Sequence, residues 1–459
     1  MDQPKIDAIP IKHKLGWGVG AAGASILVNG VASMILFYLV AIVKMEPALA
    51  GGLVFGFKLL DVVTDPVMGV VSDRTVSKWG RRRPYLFVGA FVSTASILVL
   101  FNTPAFPSVG MTAADVSLGL LLYTLGYTLF NVPYVTMPAE MTDGYHERSS
   151  IHAYRVVFLS AGATLSLVLG PVLMQTYGQT RETYSLIAFI MAALIFVTML
   201  ACFYATKNVR SIGRTEGAPS FWTQLNAIGK NRHFLLIISA KAAQLIGIFA
   251  TQAALFFYVL NGLQLQESAL IAFGLSSTAA SFLFAPILVR VSKRIGKRNA
   301  FMLSGMVYIC VSMSWYLSGP GESYWLVGLR GFFMGLPFAG NILLAMSMLT
   351  DAIEYDARKY GVRREGMYTA FYSFAEKFAG AFGPLLIGVL LSAAGFNRDL
   401  DPTAAQSPQV VSALLLGIAA IPALSSLISI SIIYFYRLDE RELDSVRSQA
   451  PQDAQSAKT

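Results

Sequence analysis

The sequence predicts an all-α integral membrane protein, with twelve transmembrane helices in two six-helix bundles and both termini on the cytoplasmic side. Three observations carry this prediction. Apolar stretches of about 20 residues, the length that crosses a hydrocarbon layer, recur along almost the whole chain. Of the 459 residues 55% are hydrophobic and only 13% charged, against roughly a quarter charged in soluble proteins. Six apolar stretches precede a polar segment and six follow it. A mean hydropathy of +0.58 excludes a soluble core-and-shell fold.

The predicted spans are 15–43, 48–72, 85–101, 115–139, 151–175, 185–206, 234–260, 268–289, 299–318, 323–349, 366–394 and 408–436. The first is too long for the apolar region of a signal peptide, and no small-residue cleavage site follows it. These spans divide the chain into an N-terminal bundle (1–206), a cytoplasmic linker (207–233), a C-terminal bundle (234–436) and a solvated tail (437–459). The linker is rich in Gly, Ser and Arg, and its segment SFWTQLNAIGK suits a short helix lying at the membrane surface.

Orientation follows from the cations. With the N-terminus inside, the inside segments hold 27 of the 35 lysines and arginines, and the outside loops hold Lys44, Arg181 and Arg398. Excess Lys and Arg marks cytoplasmic loops. The remaining five, Lys58, Arg155, Lys241, Arg330 and Lys377, lie within spans or at their ends. This bias accounts for a net charge of +9 and a pI near 9.4. It calls for no nucleic-acid partner, although cytoplasmic arginines also suit anionic lipid heads.

Taken in chain order, the first span carries Gly18-x-Gly20-x-x-Gly23. That spacing matches a dinucleotide-binding pattern, but no strand precedes it and it lies inside a membrane span. Gly16 and Gly20 instead predict a small-xxx-small helix contact. The second span ends in the basic loop SDRTVSKWGRRRP, and the eighth in VRVSKRIGKRNA, so Gly80 and Gly296 correspond. Two bundles with matching basic loops predict parallel repeats, with the substrate cavity between them near the midplane. Cys202 and Cys310 fall inside spans and are expected to be buried and unpaired. No Walker sequence, HExxH or GxSxG occurs, so neither ATP-driven pumping nor familiar hydrolytic chemistry has support; the protein is not expected to be an enzyme.

The informative residues are the charges inside spans. One costs roughly 2.5–3.5 kcal/mol at a helix centre, so it needs a partner or water. Lys58, Asp61 and Asp65 stand at i, i+3 and i+7, within about 60° of one another on one helix face. Two carboxylates one turn apart, with the Thr64 hydroxyl beside them, form a hard oxygen site for a small cation; repulsion between them would also let them share a proton. A structural salt-bridge cluster is the competing reading. Lys377 in span eleven cannot face its neighbour Glu376, since adjacent helical residues point about 100° apart, and is expected to meet Asp61 or Asp65 across the cavity. Lys241 is expected to snorkel to the cytoplasm. Arg330 is open between snorkelling outward and lining the cavity. Arg81, Arg82 and Arg83 are expected to act as a cytoplasmic gate, pairing with acids such as Glu140 or Asp351.

Asp61-Val-Val-Thr-Asp65-Pro66 and its basic loop, with YTLFNVPY (127–134), HAYR (152–155) and EGMYTAFYSFAEK (365–377), resemble the glycoside–pentoside–hexuronide cation symporters of the major facilitator superfamily, of which the melibiose symporter is one. The resemblance spans nearly the whole chain; its most specific part is the second helix with its loop. It implies a cation site at Asp61, Asp65, Thr64, Thr128 and Asn131, with Asp61 and Asp65 holding Na⁺ if sodium is the ion. It implies substrate contacts from Ser25, Lys58, Tyr134, Arg155 and Lys377. Three positions depart from the melibiose symporter: Asn131 and Ser25 replace acids, and Val135 replaces a tryptophan that stacks on sugar. Melibiose itself is therefore not expected.

The function these observations imply is secondary active symport by alternating access, in a bacterial-type inner membrane. A glycoside, pentoside, hexuronide or related small organic solute would travel with Na⁺ or H⁺, through a monomer without a cofactor. A carrier of a lysolipid-like or anionic amphiphile is the alternative. A membrane receptor or enzyme would need a sensing domain or catalytic cluster that the sequence lacks.

Overall fold

The computed structural model describes residues 9–142, 145–207, 229, 231–360 and 365–438. The expected surface helix of the linker, and the tail beyond residue 438, lie outside the described residues. The helices of the N-terminal half are α1 (Ile11–Phe37, prolonged by a π turn at Tyr38–Ile42), α2 (Pro47–Arg74), α3 (Arg83–Leu100), α4 (Val109–Met141), α5 (Tyr145–Tyr177) and α6 (Arg181–Ala205). Those of the other half are α7 (Arg232–Phe257, with a π turn at Tyr258–Gly262), α8 (Glu267–Ile295), α9 (Lys297–Met313), α10 (Tyr324–Tyr360) and α11 (Glu365–Ala393). The last, α12, runs from Pro408 to Ile433 through a π turn at Leu416–Ala420. Among the described residues there is no strand. Eleven of these helices are long and apolar enough to cross a membrane; α2, with Lys58, Asp61 and Asp65 in its apolar run, packs among them against α4 and α11.

Helices begin where the sequence supplies caps. The side chains of Glu46, Ser108, Thr180, Asn231 and Ser407 each accept a hydrogen bond from the main-chain N–H three residues on, which satisfies an otherwise orphaned donor. Proline at the first position of α2 and of α12 costs no helical hydrogen bond.

The packing repeats between halves. α1 lies on α5 and α6 as α7 lies on α11 and α12, α3 lies on α4 and α6 as α9 lies on α10 and α12, and α2 meets α4 as α8 meets α10. Local conformation repeats too. Both first helices end in a π turn, followed by a left-handed residue that is not glycine, Lys44 (φ 65°) and Gln264 (φ 55°). The two basic loops turn at Gly80 (φ 89°) and Gly296 (φ 85°), a conformation that costs a side-chain-bearing residue energy and glycine none. The correspondence of these glycines in the sequence is therefore one of backbone shape.

The halves meet through α2 with α11, α5 with α8 and α1 with α7. A core of buried side chains bridges them at the end of the bundle that carries the α1–α2 turn, where Phe37 packs 5.9 and 4.9 Å from Phe256 and Phe257. Between α2 and α11 the backbones approach closely. A Cβ on Gly51 would lie 2.5 Å from the Pro384 carbonyl oxygen, and one on Gly388 would collide with the Pro47 oxygen. On α1, a Cβ on Gly16 would strike Ala205 and one on Gly20 the Cys202 sulfur, so the predicted small-residue contact is with α6. Cys202 is buried as expected. Cys310 corrects the expectation, because it is exposed on the outer side of α9.

Candidate cation and substrate site

The face of α2 that carries Lys58, Asp61 and Asp65 is turned toward α4 and α11 rather than lipid. Thr124 on α4 donates to the Phe57 carbonyl at 3.1 Å, tying α4 to α2 one turn above the acids. One turn further along α4, Thr128 donates its hydroxyl to Asp65 Oδ1 at 2.8 Å. The same hydroxyl lies 3.2 Å from that of Thr64, whose oxygen is 3.4 Å from the Asp61 carbonyl. From the other half, Lys377 forms an ion pair with Asp65 Oδ2 and places its ammonium 5.2 Å from the centre of the Tyr127 ring. Lys58 crosses in the opposite direction, donating to the Gly380 carbonyl at 3.4 Å and lying over the Phe249 ring.

Asp61 is only 6% exposed, and its Oδ1 atom has no hydrogen-bond partner. An unpartnered carboxylate oxygen in a buried site is expensive, so Asp61 is the acid with capacity to spare. Pro66, immediately after Asp65, has no N–H to give the Val62 carbonyl its helical bond, which leaves a further oxygen on this stretch of α2. Two carboxylates, two hydroxyls and main-chain oxygens suit a small hard cation or a proton. Among the described residues no group of three or more His, Cys, Asp or Glu side chains could hold a metal ion, so a transition-metal site has no basis there.

The structure thus gathers Lys58, Asp61, Thr64, Asp65, Thr128 and Lys377 in one place and leaves others apart. Asn131 is half-buried one turn along α4 from Thr128, with no hydrogen bond among the described residues. Ser25 is buried between helices: it donates to the Leu159 carbonyl at 2.7 Å and receives a bond from Asn29. Tyr134 is 0% exposed and stacked 4.6 Å from Trp17. Both are buried in the packing of the first half. Arg155 is half-buried, and its Nε atom has no acceptor.

Of the three arginines expected to form a gate, Arg81 and Arg82 hold Glu140 at 2.8 and 2.9 Å, and Arg82 also reaches Ser72 and Asp73. Arg83 instead donates to the Phe203 carbonyl and covers its ring. Asp351 pairs with Lys297, not with these arginines as expected. Lys241 does not snorkel: it is 3% exposed and bound to Glu376 at 2.5 Å and to the Tyr372 hydroxyl. Arg330 is settled by a bidentate pair with Glu322, both bonds 2.9 Å, and by Trp315 beneath it. The Lys241–Glu376 pair and the Tyr127 ring were missed in the sequence. A usable signal existed, since opposite charges inside spans seven and eleven must find each other if the second half packs like the first.

The sequence profile of a family described as MFS/sugar transport proteins matches residues 16–440. Curated relatives cover the chain almost end to end. An isoprimeverose transporter from Lactiplantibacillus pentosus is 25% identical, over 95% of this chain and 90% of its own. A glucuronide carrier protein homolog from Escherichia coli is 26% identical, over 94% and 93%. Among solved structures, the nucleoside transporter NupG aligns with a TM-score of 0.62 at 14% identity, over 93% of this chain and 100% of its own. A structure described under substrate recognition in proton dependent oligopeptide transporters aligns at 0.64 and 14%, over 93% and 99%. At such identities the structural neighbours establish the shared fold alone.

Proposed function

The chain belongs to the MFS/sugar transport protein family, and from that membership we propose that it is a symporter of the inner membrane, carrying a glycoside, pentoside or related polyhydroxylated solute together with Na⁺ or H⁺. It is a multi-pass membrane protein. The observation that carries the reading is the Asp65–Lys377 ion pair, which joins the two halves beside Asp61 and its unpartnered oxygen. It makes ion occupancy and the contact between halves one equilibrium.

Asp65 cannot serve Lys377 and an incoming cation equally. A cation held by Asp61, Asp65, Thr64 and Thr128 competes with the ammonium for the same carboxylate, and so does a proton. Lys377 is then released toward the space between the halves, where a solute hydroxyl can accept its bond. Ion and solute each stabilise an arrangement the other prefers, and their coupling is reciprocal.

Replacing Asp65 by Asn preserves size and removes the charge. Gradient-driven accumulation in vesicles should fall to background, while solute affinity changes by about threefold or less, under 1 kcal/mol. Asp61→Asn should behave alike. A double variant that still accumulates solute against its gradient would return these acids to a structural role.

A further inference from the structure

Glu376 lies on α11 immediately before Lys377, and its side chain is 42% exposed. In lipid a bare carboxylate at that depth is costly, and the adjacent Lys377 pairs with Asp65 of the first half and lies 5.2 Å from the Tyr127 ring. The exposed side of Glu376 therefore looks into the space between the halves.

Its other side is fixed. Lys241 on α7 holds Oε1 at 2.5 Å and is itself bound to Tyr372, one turn before Glu376 on the same face of α11. Lys241 and Tyr372 are both buried. This is the construction of a positioned recognition group, with one carboxylate oxygen anchored by a buried cation. Arg155 of the first half has a buried Nε atom with no acceptor. The first half thus offers a donor and the Tyr127 ring, and the second half an acceptor. A sugar ring, whose hydroxyls both give and take hydrogen bonds, satisfies both and can lie on the aromatic face.

We propose that Glu376, oriented by Lys241 and Tyr372, is a specificity-determining residue that accepts hydrogen bonds from solute hydroxyls and selects neutral glycosides over their uronic-acid counterparts. The inference rests on the sugar-symport reading and adds the substrate class. A uronate would bring a second carboxylate against Glu376, an unfavourable like-charge approach. Lys241 is a positioning residue in this account, since it acts through Glu376.

The test uses the purified full-length protein and matched probes that differ only in oxidation at one carbon, methyl glucoside and methyl glucuronide, with methyl xyloside as a pentoside. Binding is followed by calorimetry or thermal shift. The wild type should bind the best neutral member at least tenfold more tightly than the uronide. Glu376→Gln should weaken the neutral members by tenfold or more and collapse that preference. Because this variant leaves Lys241 buried without its counter-charge, a double variant, Glu376→Gln with Lys241→Met, accompanies it. The double variant should regain thermal stability yet keep the collapsed preference, which a purely structural role would not produce. A wild type that prefers the uronide overturns the inference, as does an unchanged preference in the double variant; in either case sugar symport itself stands. If no member of the panel binds and none drives counterflow, the sugar-symport reading falls and this inference with it.

Discussion

Asp61 and Asp65 differ in what they already hold. Asp65 is engaged on both oxygens, by Thr128 and by Lys377, whereas Asp61 keeps one oxygen unpartnered in a buried setting. In the proposed symport, this division gives Asp65 the communication between halves and Asp61 the capture of the ion. Asn131 offers a gain-of-function check, because it stands one turn from Thr128 without a hydrogen bond of its own. Asn131→Asp should tighten Na⁺ or Li⁺ binding by about tenfold, equal to about 1.4 kcal/mol. Ion titration followed by thermal shift would report it, and an unchanged ion response in a folded, active variant would place Asn131 outside the site. Positions that merely look polar deserve less weight: Ser25 is spent on the Leu159 carbonyl.

Helices carry different duties along their length. α2 begins in a tight backbone joint with α11, continues through the ion-site face, and ends at Ser72 and Asp73, which share Arg82 with Glu140 of α4. Arg82 is therefore the knot between α2, the basic loop and α4. Arg82→Ala removes one of the two arginines that hold Glu140 and should lower the unfolding temperature and slow transport, on the scale of about 1–3 kcal/mol for a buried charged hydrogen-bond set. Arg83→Ala, which loses a carbonyl contact, should have the smaller effect in the same melting and uptake assays. If Arg82→Ala inverts the topology or fails to insert, its role is anchoring rather than gating. The extent of these elements was legible in the sequence, because apolar length and capping residues are local signals. The α2 face was legible for the same reason: charge in an apolar run has one physical meaning. What a side chain meets on another helix was not. Lys241 could reach the membrane surface by length alone, and only packing of α7 against α11 shows that Glu376 intercepts it.

At the scale of the molecule, the two halves repeat their internal contacts and meet along pairs that the repeat relates. The joint between α2 and α11 is made of backbone, with Gly51 against Pro384 and Gly388 against Pro47. Gly388→Ala should force the two helices apart, lowering stability by about 1–3 kcal/mol as overpacking does, and should impair uptake more than binding. Gly52→Ala is the control, since a Cβ there meets nothing within 4 Å. Equal effects of the two in melting and uptake would show that the joint has no special role. The position of that joint has a mechanical corollary. Asp65 lies fourteen residues along α2 from Gly51, and Lys377 eleven residues along α11 from Gly388. If the glycine seam is a fulcrum, α2 is a lever arm of about 21 Å at about 1.5 Å per residue. A tilt of about 10° then carries its charged tip by nearly 4 Å, enough to break an ion pair and reach the next partner. Placing the charges far from the fulcrum converts a rotation too small to disturb the packed seam into a displacement large enough to decide who holds Asp65.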